Sequence, residues 1–199
     1  MVSDEEKRRS YLDTLRSEAD RLGHLVENVL AYARLERGAA GERLETITLR
    51  ELLDRTTDRL AQRAEQADMT FAPETDGDAL AAAVRTDPSA VEQILFNLVD
   101  NACKYAGSAA DRTIRLEAGR TGRFAALRVR DHGPGVPGED RGRLFRPFCK
   151  SARDAANSAP GVGLGLALSR RLARSMGGDL RLDDGTEDGA CFVLTLPTA

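Results

Sequence analysis

The chain has few cysteines, no tryptophan and no long apolar run, and these shortages exclude several classes of protein. Its three cysteines, Cys103, Cys149 and Cys191, are an odd number without CxxC spacing. They argue against a disulfide framework or a zinc site and fit a reducing cytoplasm. No apolar run is long enough to span a membrane, and the N-terminus MVSDEEKRRS has no apolar core typical of a signal peptide. We therefore expect a cytoplasmic chain, with any membrane anchor outside it.

The charge is also unremarkable, because the formal net charge is -3 over 199 residues. This gives no support to nucleic-acid binding, which usually requires a basic surface. The content of 41% hydrophobic and 31% charged residues is typical of a globular protein, and the length suits one domain plus an appendage. Nearly all basic residues are arginine. The only lysines are Lys7, Lys104 and Lys150, which draws attention to the last two.

Residues 4–37 are predicted to form one long helix, because apolar residues recur at spacings of three and four. This heptad seam consists of Leu12, Leu15, Ala19, Leu22, Val26, Val29 and Ala33. Further apolar residues widen the stripe, so more than one neighbour is expected, and packing on its own domain is the alternative. The Gly38–Gly41 stretch ends the helix. We place the domain boundary between residues 1–40 and 41–199.

The segment 41–199 alternates between strand and helix patterns. This predicts an α/β (α+β) two-layer sandwich in which a mixed sheet is covered by helices on one face. Helices are predicted at about residues 50–67, 87–105 and 163–176. Strands are predicted at about residues 44–49, 69–72, 81–85, 113–118, 124–130, 179–183 and 190–196. Residues 131–160 are rich in Gly, Pro, Ser and charge and are expected to be mostly loop.

The first motif is NLVDNACKY, residues 97–105. Asn97 and Asn101 share one helix face, and Lys104 lies on nearly the same face. An amide oxygen suits Mg²⁺, and a lysine is a mobile charge for phosphate. The stripe therefore predicts a site for a metal and a phosphate chain. The alternative is a surface helix whose asparagines face water.

The second motif is RDHGPGVP, residues 130–137, which directly follows a predicted strand. Asp131 at the strand end can accept a hydrogen bond from an exocyclic amine such as that of adenine. Gly133 and Gly135 leave room for a flat base. A Gly-Pro surface turn with a capping Asp is the alternative.

The third motif is GVGLGLALSRRLARSMGG, residues 161–178. Gly161, Gly163 and Gly165 open a helix, and bare amides at a helix N-terminus form a phosphate site. A dinucleotide-binding fingerprint would need a preceding buried strand, but SARDAANSAP is a polar loop.

A fourth motif, LFRPFCK, places two aromatic side chains in a loop of an aromatic-poor chain. Phe145 and Phe148 either meet a partner or fill the core. The polar segment 149–160 resembles a flexible lid, with Lys150 and Arg153 able to reach phosphates.

These four motifs, in this order and spacing, closely resemble the catalytic ATP-binding domain of bacterial sensor histidine kinases, over about residues 44–197. DPSAVEQILFNLVDNACKY matches the N box, DHGPGVP and GVGLGLALS the two glycine boxes, and LFRPF the F box. The resemblance implies a Bergerat-type fold that binds Mg-ATP beneath a mobile lid.

The resemblance also implies residue roles. Asn101 is expected to ligate Mg²⁺, and Asn97 and Lys104 are the expected catalytic residues at the metal and phosphates. Asp131 is expected to bind the adenine amine. The other expected nucleotide-binding residues are Tyr105, Gly133, Gly135, Phe145, Phe148, Lys150, Gly161, Gly163, Leu164, Gly165, Leu166 and, through water, Thr195.

The N-terminal helix resembles the second helix of the family's dimerisation and phosphotransfer hairpin. The first hairpin helix carries the phosphorylated His in an H box, followed by an acid, and this chain has no such string. His24 is followed by Leu25, and His132 lies inside the first glycine box. We expect a piece of a kinase divided between the two hairpin helices. A natural chain that lacks the first helix is the alternative.

The implied activity is transfer of the ATP γ-phosphoryl group to a His outside this chain, and from there to an Asp of a response regulator. The implied partners are that regulator, the phosphoacceptor helix and a second copy bound through the N-terminal helix. Gyrase-like ATPases place a Glu four residues before the metal-binding Asn, where this chain has Asn97, which cannot accept a proton. A silent ATP-binding module and an ATPase or anti-sigma serine kinase are the alternatives.

Overall fold

The structure is a computed structural model. It describes residues 43–75, 77–149, 163–185 and 188–199, and near the N-terminus residues 7–9, 11, 12, 15, 19, 23, 26 and 28–32. Within these ranges, none of the helices combines the length and apolar character that crossing a bilayer requires.

A five-stranded mixed sheet forms one layer, as predicted. Its strand order is β2-β4-β5-β7-β6, with β2 parallel to β4 and the other pairs antiparallel. The remaining strands, β1 and β3, form a separate two-stranded antiparallel sheet, which the sequence patterns did not distinguish. The strands are β1 (Glu45–Thr48), β2 (Thr70–Thr75), β3 (Ala83–Thr86), β4 (Thr113–Thr121), β5 (Phe124–Arg130), β6 (Asp179–Leu182) and β7 (Cys191–Pro197).

Three long helices form the second layer, close to the predicted positions. Thr48 and Glu51 form a capping box at the start of the first, and Asp87 caps the second, with Pro88 at its first position. Of two short helices, Gly138–Arg141 lies in the segment that was predicted to be mostly loop, and Gly77–Leu80 lies between two predicted strands. The helices are α1 (Leu49–Glu65), α2 (Gly77–Leu80), α3 (Pro88–Ala106), α4 (Gly138–Arg141) and α5 (Gly165–Ser175).

The main core lies between the helices and one face of the large sheet. Alternate residues of β5, such as Ala125 and Leu127, join the helices in this core. The intervening Ala126 belongs to a small separate cluster with Cys191 and Val193. Because successive strand residues point to opposite faces, the helices cover one face of the sheet, as predicted.

The described residues before residue 33 are all helical. Ala31 and Tyr32 pack against the main core, and the Arg171 guanidinium carbon lies 4.9 Å from the Tyr32 ring centroid. The helix therefore contacts the rest of the chain near its C-terminal end. Other seam residues are exposed, namely Leu12, Leu15, Ala19, Val26 and Val29. Leu22 and Ala33 lie outside the described residues.

Candidate functional site

Helix α3 presents the two predicted asparagines on one side while its apolar side enters the core. Leu95 and Val99 are fully buried on the core side. Asn97 is only 8% exposed, and its Nδ2 donates a hydrogen bond to Ser169 Oγ on α5 at 3.2 Å. A buried amide needs such partners. Asn97 is therefore a buried polar link between α3 and α5, and the alternative of water-facing asparagines does not hold for it.

Asn101, one turn further along α3, is half-buried. Its amide forms no hydrogen bond to any residue that the structure describes. A neutral amide oxygen in this state can serve as a ligand for a hard cation. Tyr105, one further turn along, is 46% exposed at the end of the same stripe.

Lys104 forms an ion pair with Asp100, which also accepts two hydrogen bonds from Arg63, at 3.0 Å from Nε and 2.8 Å from Nη2. Burial would raise the pKa of Asp100, but Lys104 and Arg63 outweigh it and hold that pKa below its ordinary value. Asp100 therefore remains ionised. Lys104 lies against a carboxylate that the sequence reasoning did not consider.

Asp131 directly follows β5 and is only 7% exposed. Its Oδ1 accepts hydrogen bonds from the backbone N–H groups of Gly133, at 2.9 Å, and Ala190, at 3.2 Å. Within the described part of the chain, Oδ2 accepts no hydrogen bond. Burial raises the pKa of Asp131, and the two backbone donors oppose this rise. The carboxylate thus keeps one oxygen for an external donor.

Glycines shape the surroundings of Asp131. A Cβ on Gly133 would lie 3.0 Å from the Ala106 Cβ at the end of α3. Gly135 has φ +68°, and a Cβ there would lie 2.8 Å from Gly189 O. Both predicted glycines therefore permit close approach of neighbouring backbone.

The turn between β6 and β7 contributes two site residues that the sequence reasoning missed. A Cβ on Gly189, which has φ +81°, would lie 1.8 Å from Asp131 O, so only glycine fits. Ala190 O accepts from Asp131 N at 2.9 Å. The available signal was a glycine immediately before the last predicted strand, but nothing local pairs that strand end with Asp131.

Among the described residues, no side chain caps the N-terminus of α5, whereas α1 and α3 both have a side-chain cap. Leu164 is the N-cap residue, and Gly165 and Leu166 begin the first turn. The first N–H groups of a helix lack intrahelical acceptors, so an uncapped end attracts an anion. A Cβ on Gly165 would lie 3.7 Å from Asn97 Oδ1, which places this helix end against α3.

Gly163, just before α5, contacts the backbone at the end of the LFRPF motif. Its carbonyl accepts a hydrogen bond from Phe148 N at 3.0 Å. Gly163 has φ +72°, and a Cβ there would lie 2.7 Å from Cys149 O. Lys150, Arg153 and Gly161 lie outside the described residues.

The two F-box rings have different environments. Phe145 is half-buried, packs against the core, and meets Phe192 edge-on with ring centroids 6.5 Å apart. Phe148 is 67% exposed and has a φ of +61°. The core alternative therefore holds for Phe145, while Phe148 is exposed at the base of the segment before α5.

Thr195 is not brought to Asp131. It lies on β7, five residues after Ala190, which is roughly 16 Å along an extended strand. Its hydroxyl donates to Asp179 O at 3.2 Å and accepts from Asp179 N at 3.1 Å. This side chain serves the β6–β7 pairing, and we leave it out of the site.

Helix α3 connects the two ends of the site. Its Ala106 meets Gly133 beside Asp131, and its Asn97 meets Gly165 at the start of α5. These two α3 residues are nine positions apart, or about 14 Å along a helix. That separation is comparable with the length of an extended nucleoside triphosphate. The site offers a hydrogen-bond acceptor for a base at one end and backbone donors for phosphates at the other.

The chain is similar to known ATP-binding domains and sensor kinases. A family model described as "Histidine kinase-, DNA gyrase B-, and HSP90-like ATPase" matches residues 86–199, more than half of the chain. Sensor protein KdpD of Rathayibacter rathayi is 34% identical over 178 residues, covering 89% of this chain and 20% of that protein. Signal transduction histidine-protein kinase AfsQ2 of Streptomyces coelicolor is 33% identical over 182 residues, covering 91% of this chain and 31% of that protein.

Among solved structures, full-length ShkA in complex with AMPPNP has a TM-score of 0.74 and 30% sequence identity. The match covers 100% of this chain and 40% of that one. The chain thus spans between a fifth and a third of the length of these two curated relatives.

Proposed function

Because this chain belongs to the family of histidine kinase-, DNA gyrase B- and HSP90-like ATPases, as an ATP-binding domain of the sensor histidine kinase type, we propose that it supplies the catalytic step of a two-component sensor kinase. In this step an imidazole nitrogen of an acceptor His bonds to the γ-phosphorus of ATP. The bond from that phosphorus to the ADP oxygen breaks, and ADP leaves.

One observation carries the proposal. An acceptor carboxylate at Asp131 and the uncapped N-terminus of α5 lie at opposite ends of the same stretch of α3. The Asp131 carboxylate would accept a hydrogen bond from the exocyclic amine of adenine, and the N-terminus of α5 would bind the phosphates. Gly133 and Gly135 let the loop after Asp131 pack against Ala106 and Gly189, which holds that carboxylate in place. The backbone amides of Gly165 and Leu166 would bind the phosphates.

Mg²⁺ fits the residues present. The Asn101 amide is half-buried and engaged by no described residue, and Mg²⁺ favours a few hard oxygen ligands together with substrate phosphates. When bound, the ion neutralises charge on the phosphates. Asn101 would hold it, with Asn97 beside it. Lys104 would have to leave the Asp100 carboxylate to reach a phosphate oxygen.

The site favours phosphoryl transfer over hydrolysis. The position four residues before Asn101 is Asn97, an amide that cannot accept a proton from water. Asn97 also lies buried against Ser169. The domain therefore contributes positioning and charge neutralisation, which is most of what phosphoryl transfer requires.

The acceptor His, the response regulator, a second copy of the chain and any membrane anchor belong to the proposed parent kinase. We propose these parts because the N-terminal helix is similar to the second helix of a dimerisation and phosphotransfer hairpin. KdpD and AfsQ2 are named as a sensor protein and a signal-transduction kinase.

Titration calorimetry with Mg²⁺ and a non-hydrolysable ATP analogue tests the binding half of the proposal. We expect saturable one-to-one binding, lost in the double variant Asn101→Asp, Asp131→Asn. Equal binding by the wild type and the double variant would refute the site. Phosphate transfer is tested by adding a separate phosphoacceptor hairpin and γ-labelled ATP. Binding without label on the hairpin His would leave a silent ATP-binding module.

A further inference from the structure

Asn28 of the N-terminal helix reaches the predicted metal and phosphate region. Its Nδ2 donates to Asn97 Oδ1 at 3.3 Å, and its Oδ1 accepts from Asn97 Nδ2 at 3.4 Å. Gln93, one turn before Asn97 on α3, donates from Nε2 to the same Asn28 oxygen at 3.1 Å. Two amides from distant parts of the chain thus form a reciprocal pair.

This pair uses up the donors of Asn97. A carboxamide has two N–H donors and a carbonyl oxygen with two lone pairs. The donors of Asn97 go to Asn28 Oδ1 and Ser169 Oγ. From the residues that the structure describes, its oxygen accepts one hydrogen bond, from Asn28, and it lies 3.7 Å from the position of a Cβ on Gly165. The remaining lone pair of that oxygen is therefore available beside the first turn of α5.

Without Asn28, only Ser169 would orient the amide among the described residues. A carboxamide with one partner can turn about its last torsion, because that torsion is broad and roughly two-fold. Presenting the NH₂ group instead of the oxygen would place donors where a cation is expected. Asn28 removes this freedom because its own oxygen is fixed by Gln93.

The N-terminal helix has contacts with the rest of the chain other than the Asn28 amide. Ala31 and Tyr32 supply apolar contact with the core, and Tyr32 also meets Arg171. A hydrogen-bonded amide pair contributes little net stability, but it does specify direction. The contact is thus better suited to orienting Asn97 than to holding the helix.

We propose that Asn28 is a positioning residue that directs the Asn97 oxygen toward the Mg²⁺–triphosphate, so that docking of the N-terminal helix and binding of Mg–nucleotide favour each other. This inference rests on the proposed function, because it assumes that the triphosphate lies between α3 and α5. The coupling is reciprocal, so bound Mg–nucleotide also stabilises the docked helix.

The test measures the dissociation constant of a non-hydrolysable ATP analogue on the full chain, once with Mg²⁺ and once with a chelator. Asn28→Ala is expected to weaken binding about three- to tenfold with Mg²⁺, the range of one or two modest hydrogen bonds, and to leave binding without Mg²⁺ unchanged. Asn28→Asp keeps the acceptor for Asn97 Nδ2 but places a carboxylate oxygen opposite Asn97 Oδ1, where Asn28 Nδ2 now donates. It is therefore expected to lose at least as much Mg²⁺-dependent binding as Asn28→Ala. Val29→Ala, at an exposed neighbouring position, is the matched control and should bind like the wild type.

The outcomes separate the inference from the function beneath it. Equal weakening with and without Mg²⁺, or the same loss in Val29→Ala, would show that the helix only supports the fold, and the inference would fail. Tighter Mg–nucleotide binding in Asn28→Ala would also overturn it, since the helix would then oppose binding. Failure of the wild type to bind under either condition would refute the proposed function and this inference with it.

Discussion

At the scale of single residues, Asp131 has opposing effects on binding and on stability. Asp131→Asn keeps an oxygen for the Gly133 and Ala190 donors but replaces Oδ2 with an NH₂ group that faces the adenine amine. We expect nucleotide affinity to fall about ten- to one-hundredfold, the loss of a hydrogen bond to a charged group. Calorimetric titration measures this. Asp184 is an exposed carboxylate paired with Arg141, so the control variant Asp184→Asn should bind nucleotide like the wild type.

The stability of the same variant should not fall. Burial raises the pKa of Asp131, so folding favours its protonated form. The resulting contribution to stability is fully present below the ordinary aspartate pKa and is lost as the pH rises through the pKa of the folded state. At neutral pH the asparagine variant is therefore expected to unfold at an equal or higher temperature than the wild type. A large drop in the unfolding temperature would show that the negative charge is itself structural.

Asp131 also predicts a pH dependence of binding. Because burial raises its pKa, the carboxylate is protonated at a higher pH than an ordinary Asp. A protonated carboxyl accepts poorly from the adenine amine, so affinity is expected to fall on acidification. The fall in affinity is expected to begin at a pH above the ordinary range of aspartate pKa values. Titrations between neutral and mildly acidic pH should show it in the wild type and not in Asp131→Asn.

At the scale of elements, the turn before β7 is as important to the site as the recognised motifs. In Gly189→Ala, the new Cβ would meet Asp131 O at 1.8 Å, and its φ is +81°. Gly122→Ala is the matched control, since Gly122 has φ +60° but nothing within 4 Å. The control should lose roughly 1–2 kcal/mol from the left-handed backbone alone. Gly189→Ala should lose more, as measured by urea unfolding, together with nucleotide binding.

Similar losses of stability in the two alanine variants would mean that the β6–β7 turn can move away from Asp131 at little cost. In that case the hairpin would not be a fixed wall of the base pocket.

Much of this architecture could be predicted from local sequence. Helix patterns located α1, α3 and α5, and alternation located most strands, because these signals lie within a few turns or one strand. The separation of β1 and β3 from the large sheet has no local signal. Neither does the contact of Ala190 with Asp131, nor the meeting of Asn28 with Asn97, since each joins segments that are far apart in the chain.

At the scale of the whole molecule, the exposed seam of the N-terminal helix predicts self-association. Leu12, Leu15, Val26 and Val29 are exposed apolar residues on one helix, and soluble monomers rarely expose contiguous apolar patches. We expect a dimer in the micromolar range by light scattering. Leu12→Glu with Leu15→Glu should give a monomer, whereas Arg8→Glu, an exposed charge reversal, should not. A monomeric wild type would contradict the prediction.

The chain alone is expected not to phosphorylate itself. His132 lies in the loop after β5, 3.5 Å from the Asp111 carboxylate, and His24 lies in the N-terminal segment without an H box. Incubation with γ-labelled ATP should therefore leave no acid-labile, base-stable phosphate. Label mapped to His24 by mass spectrometry would show that this helix carries its own acceptor.

The hydrogen bond between Phe148 N and Gly163 O bears on how this chain tolerates changes in the residues between them. It fixes the two ends of the intervening segment to each other, independently of what lies between them. Doubling the length of a closed segment costs only about 0.6 kcal/mol. We therefore expect that the length and sequence of the chain between Phe148 and Gly163 can be changed while the domain around it still folds. A side chain at position 163, in contrast, would break the junction itself.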